Sequence, residues 1–66
     1  MRARDVNRKL EAMGAVMVRQ AGSHRLYRVG SCTTVVAQHA GRDIPMGTLR
    51  KIERDMEPCL GVGWLR

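Results

Sequence analysis

Three features of the sequence predict an α+β fold of order α-β-β-β-α, with two helices on one face of a three-stranded antiparallel sheet. Apolar residues recur at helical spacing near both ends of the chain, in Val6, Leu10 and Met13 and in Leu49, Ile52 and Met56. Between them lie three short runs that alternate or are rich in β-branched residues. The links between those runs are two or three residues of turn type, too short for a parallel crossover, so the strands form a meander.

The first helix is expected over about Ala3 to Met13, with Asp5 in the turn where the helix dipole favours an acid and Gly14 as the stop. Arg4, Arg8, Lys9 and Glu11 fall on its wet side. The first strand covers Ala15 to Gln20, and Ala21-Gly22-Ser23 is a turn. The second strand covers His24 to Val29. Its alternation puts His24, Leu26 and Arg28 on one face and Arg25, Tyr27 and Val29 on the other. Gly30-Ser31 is a hairpin turn into a third strand, Cys32 to Ala37. A loop, Gln38 to Pro45, leads to the second helix, Met46 to Met56, which Glu57-Pro58 is expected to end. The apolar tail, residues 59–66, should pack on the core or on a partner, with Val62, Trp64 and Leu65 out of water. All 66 residues are read as one domain.

A chain of 66 residues buries only about 60% of its unfolded surface. That excludes enzymes with lids and separate cofactor domains. No apolar run approaches the roughly 18 residues of a membrane span. The opening Met1-Arg2-Ala3-Arg4-Asp5 lacks the pattern of a secretory signal, so a cytoplasmic protein without membrane contact is expected. The net charge of +6 and a pI near 10.7 point to a polyanion. Ten of the twelve cations are arginines, whose planar fork suits two-point phosphate contact. No acid lies between Glu11 and Asp43. Such a one-signed stretch fits a nucleic-acid backbone and gives Mg²⁺ no carboxylates, so neither metal nor cofactor is expected. Cys32 and Cys59 follow no metal-ligand spacing and are expected to be two thiols.

Gly22-Ser23-His24-Arg25 is the segment best suited to chemistry. Glycine permits positive φ or close approach of a ligand, and histidine exchanges protons near neutral pH. The adjacent arginine could stabilise phosphate charge. A neutral His24 could take the 2′-OH proton of RNA so that the oxygen attacks the neighbouring phosphorus, without a metal. The plain alternative is a hairpin turn whose histidine begins a strand. His39, before Gly41 and Arg42, could supply a second proton-transfer group or could simply be a loop residue. Gly47-Thr48-Leu49-Arg50-Lys51 opens the second helix, either as a phosphate cradle or as an ordinary charged start. Tyr27 and Trp64 are the only aromatics, which disfavours recognition by base stacking and favours backbone or double-strand reading.

These elements resemble one family. Arg4-Asp5-Val6 with Leu10-Glu11 and Gly14 comes first, followed by Val18-Arg19-Gln20-x-Gly22-Ser23-His24. After these come His39-x-Gly41-x-Asp43 and Gly47-Thr48-Leu49-Arg50-x-Ile52. In this order and spacing they are similar to the HicA toxins, over roughly residues 3 to 56. The resemblance implies a double-stranded-RNA-binding-domain-like fold and an mRNA-cleaving toxin paired with a HicB antitoxin. It also implies that His24 is the catalytic residue. Ala3 stands where the family often has a capping serine, which should weaken the helix start by about 1 kcal/mol.

The resulting expectation is a metal-independent endoribonuclease toxin that cleaves mRNA, with His24 as general acid or base. Arg19, Gly22, Ser23, Arg25, Arg28, His39, Arg42, Thr48, Arg50 and Lys51 are its candidate RNA-binding residues. Its partners are mRNA and a HicB-like antitoxin, and a weak homo-oligomer is compatible with the sequence. Two other readings stay open: a non-catalytic double-stranded-RNA-binding module and a structural partner-binding subunit.

Overall fold

A computed structural model describes residues 1–66. Its elements run α1 (Ala3–Ala12), β1 (Val16–Ala21), β2 (His24–Val29), β3 (Cys32–Ala37) and α2 (Met46–Leu60), with the sheet in the order β1-β2-β3. Both pairings are antiparallel, and the expected α-β-β-β-α arrangement is the one found. No helix is long and apolar enough to cross a membrane.

Helix α1 begins at Arg2, whose carbonyl accepts from the amides of Asp5 and Val6 at 3.0 and 3.2 Å. The Asp5 carboxylate accepts in turn from the Arg2 amide at 3.0 Å. The cap is therefore Arg2, and Ala3 is a buried first-turn residue where a serine hydroxyl would gain nothing. At the other end Gly14, with φ +94°, closes a Schellman turn. Its amide bonds Glu11 O at 3.1 Å and that of Ala15 bonds Leu10 O at 2.9 Å. Val6 and Leu10 are fully buried, but Met13 is exposed, because the turn at Gly14 swings it off the stripe.

The helices cover the sheet face that carries Tyr27, Cys32, Thr34 and Val36, where they add Ile52 and Met56 from α2. Strand β1 is a solvent-exposed edge along its whole length, with a bulge between Met17 and Arg19. A bulge and an arginine on an edge discourage pairing with a second chain.

The C-terminal third departs from expectation in three ways. Helix α2 passes through Pro58 and ends at Leu60. A proline so near the end costs only one intrahelical bond, and Gly61 N still bonds Glu57 O at 2.8 Å. Cys32 and Cys59 form a disulfide rather than two thiols, because β3 and the last turn of α2 bring their Cα atoms to 6.2 Å. In the tail, Trp64 and Leu65 are buried at 6% exposure each while Val62 is 85% exposed. The anchor is the Trp64 indole, which donates from Nε1 to Glu53 O at 2.7 Å. Glycines on both sides of Val62 let the chain turn there, and the side chain is left outside.

Candidate functional site

His24 begins β2 immediately after the Gly22-Ser23 turn, where Ala21 pairs with His24. Gly22 takes φ +59° at the first turn position, the left-handed region that β-carbons disfavour. Period two then sorts β2. Arg25, Tyr27 and Val29 point to the helices, and His24, Leu26 and Arg28 point to the uncovered face. Across the ladders, His24 pairs with Ala21 and Ala37, Leu26 with Arg19 and Val35, and Arg28 with Val16 and Thr33. Directly paired residues share a face. The open face therefore carries exposed His24 at one end, Arg19 one row along beside Leu26 and Val35, and Arg28 one row further. None of the strands contributes a carboxylate to it.

His39 lies just past the end of β3. Ala37 pairs with His24, and the Gln38 amide donates to Ser23 O at 2.6 Å, so the ladder extends one step beyond the strand. The His39 side chain borders two cavities. One, about 390 Å³, also takes in Arg42, Asp43, Ile44, Thr48 and Ile52. The other, about 210 Å³, is lined by Arg2, Arg4 and Gln38. Arg2 and Arg4 were not among the sequence candidates. They reach this place because Arg2 bridges to Asp43 and the Ile44 amide donates to Met1 O at 2.8 Å, which clips the N-terminus onto the β3–α2 loop.

The proposed helix-start cradle divides. The first bond of α2 is Leu49 N to Pro45 O at 3.0 Å, which leaves the preceding amides free of intrahelical acceptors, and no acid occupies the first turn. Thr48 faces the His39–Arg42 cavity, whereas Arg50 faces a separate cavity with Met46, Glu53 and Arg66. Lys51 is paired with Asp55 at 2.9 Å, and Asp55 also accepts from the buried Thr34 hydroxyl at 3.0 Å.

Arg25 is the candidate placed farthest from its expected role, because it lies on the helix-covered side. Its Nε donates to Gln20 Oε1 at 3.0 Å and its guanidinium to Tyr27 Oη at 3.4 Å. Tyr27 donates to Glu11 Oε2 at 2.6 Å, and Gln20 Nε2 donates to Gly22 O at 3.0 Å. Burial, and then the hydrogen bond to the Glu11 carboxylate, raise the Tyr27 pKa above its ordinary 10.0. Sequence reading gave Gln20, Gln38 and Tyr27 no role. The only available signal was that Asn7 and Glu11 stand one helical turn apart on α1, spaced to reach the sheet together.

A family model described as the HicA toxin of bacterial toxin-antitoxin systems matches residues 3–57, most of the chain. No curated protein and no solved structure matches it.

Proposed function

The chain belongs to the HicA toxin family of bacterial toxin–antitoxin systems, and on that premise we propose that it is an endoribonuclease that cleaves mRNA, with His24 transferring protons. The observation that carries this reading is the open sheet face. It presents one exposed imidazole at the end of a row that continues through Arg19 to Arg28, and no strand residue there is an acid.

RNA contains its own nucleophile, so the protein has little to supply. The two arginines, one and two rows from His24, hold successive phosphates on one side of the scissile bond. Neutral His24 takes the 2′-OH proton, the O2′–P bond forms and the P–O5′ bond breaks. The products are a cyclic phosphate and a 5′ oxygen that takes up a proton. His39, in the loop just past β3, is proposed to give that proton and recover it later. Arg42 and Thr48 extend the phosphate track toward α2. No step calls on a metal or cofactor. A HicB-like antitoxin is proposed to silence the toxin by lying over His24 and presenting acidic groups to the surrounding arginines.

The test is cleavage of labelled RNA in the presence of chelator by the wild-type chain, His24→Ala and Arg28→Ala. His24→Ala should lose about 100-fold or more in rate while keeping its melt and its RNA affinity, because an exposed strand-start residue loses little packing. Arg28→Ala should instead weaken binding and flatten its salt dependence. Wild-type cleavage by His24→Ala would end the assignment. Salt-sensitive binding with no cleavage by either form would leave the non-catalytic RNA-binding reading in its place.

A further inference from the structure

We infer that Gln20 is a positioning residue for His24. Its side chain holds the Gly22 carbonyl, two residues before His24, through a hydrogen-bond relay anchored on α1. The catalytic consequence rests on the function proposed above, but the geometry does not.

A two-residue hairpin turn at the end of an exposed edge strand is among the freer parts of a small domain. Here both peptide groups entering His24 are tied down. The Gly22 carbonyl accepts from Gln20 Nε2 at 3.0 Å. The Ser23 carbonyl, which belongs to the peptide containing the His24 nitrogen, accepts the ladder bond from the Gln38 backbone amide at 2.6 Å. Fixing those two planes sets how the chain enters His24, and its pairing with Ala21 and Ala37 then sets the direction of its Cα–Cβ bond.

Each glutamine is held by a further set of partners. Gln20 Oε1 accepts from Arg25 Nε, the Arg25 guanidinium donates to Tyr27 Oη, and Tyr27 donates to Glu11 at 2.6 Å. Gln38 makes a reciprocal amide pair with buried Asn7, at 2.7 and 3.1 Å, and its Nε2 also donates to Val36 O at 3.1 Å. Asn7 and Glu11 lie one turn apart on α1. One helix face therefore anchors the relay to the Gly22 carbonyl and, through Asn7, the residue whose backbone amide bonds Ser23 O. This also explains why Arg25, next to the candidate catalytic residue in a basic protein, is turned away from the open face. Its fork carries the relay from Tyr27 to Gln20.

A catalytic side chain displaced by about 1 Å can lose on the order of 100-fold in rate, so holding this turn should appear in kcat. Gln20→Glu keeps an oxygen acceptor for Arg25 but cannot donate to Gly22 O. Gln20→Met removes both contacts without adding charge. The experiment measures kcat and KM on RNA for both variants beside His24→Ala, together with melting temperature and backbone order of Gly22, Ser23 and His24 by nitrogen-15 relaxation. Expected are a kcat reduced about tenfold or more in both variants, a melt within about 2 °C of wild type, and reduced order confined to the turn. A shared fall in kcat separates positioning from the added charge, which would raise KM in Gln20→Glu alone. Unchanged kcat and unchanged turn order in both variants, with His24→Ala inactive, would overturn the proposal. If His24→Ala retained activity, the catalytic reading would fall and turn order alone would decide: loss of order supports the relay and preserved order refutes it.

Discussion

Opening the Cys32–Cys59 disulfide should remove a large part of this domain's stability. The bond closes a loop across a sequence separation of 27 residues, from the first residue of β3 to the last turn of α2. In the chain-entropy treatment, a loop of that length restricts the unfolded ensemble by about 12 cal/mol/K, or about 3.5 kcal/mol at 25 °C. A core of this size supplies only about 3–5 kcal/mol, so the two terms are comparable. For a domain this small, each kcal/mol shifts the melting temperature by about 4–8 °C. The Cys32→Ser/Cys59→Ser protein should therefore melt some 15–25 °C below the oxidised wild type. The assay is thermal unfolding by circular dichroism, with wild type in dithiothreitol as a second route to the same state. A drop below about 5 °C by both routes would refute the reasoning. It would mean that the cross-link adds nothing to order that packing already imposes.

Two further outcomes follow from the core. Trp64→Ala should cost about 3 kcal/mol or more, because it empties a buried site and removes the indole donor from Glu53 O; an unchanged melt would show the tail to be dispensable. Stability should also fall as pH rises above the ordinary tyrosine value of 10.0, because native Tyr27, with its pKa raised, retains a proton that the unfolded chain has lost. Below that pH the contribution is flat, and Tyr27→Phe should abolish the alkaline slope while losing the Glu11 hydrogen bond at neutral pH. Urea denaturation at pH 8 and pH 10.5 measures both effects.

The strands and their order were legible because β-branched runs, period-two alternation and two-residue turns all gave one answer. The partition of β2 was legible as well, down to His24, Leu26 and Arg28 on one side. The sequence did not say which side the helices would cover, since an arginine stands on each. Tyr27 decides it, as the largest fully buried side chain. The C-terminal third was less legible because its determinants are long-range. The disulfide joins residues 27 apart, and the Trp64–Glu53 bond spans 11 residues. Neither leaves a local signature. The open-face residues of the candidate site followed from alternation alone. The relay behind them did not, because it needs side chains from α1, β1 and β2 to meet.

The ten arginines of this chain are not interchangeable cations. Arg25 is committed to Tyr27 and Gln20, and Arg66 is the counter-charge, 3.6 Å away, of a Glu53 oxygen that has no hydrogen-bond donor. Arg2 is engaged through its backbone in the bridge to Asp43, and Arg50 faces the tail. Arg19 and Arg28, on the open face with His24, and Arg42, on a cavity shared with His39, remain in reach of a phosphate track. The net charge of +6 sets the long-range attraction for a polyanion, but the sheet decides which arginines can touch it. The same alternation that puts His24 outside turns Arg25 inside, so a single strand separates the residue proposed to carry the chemistry from one proposed to hold it in place.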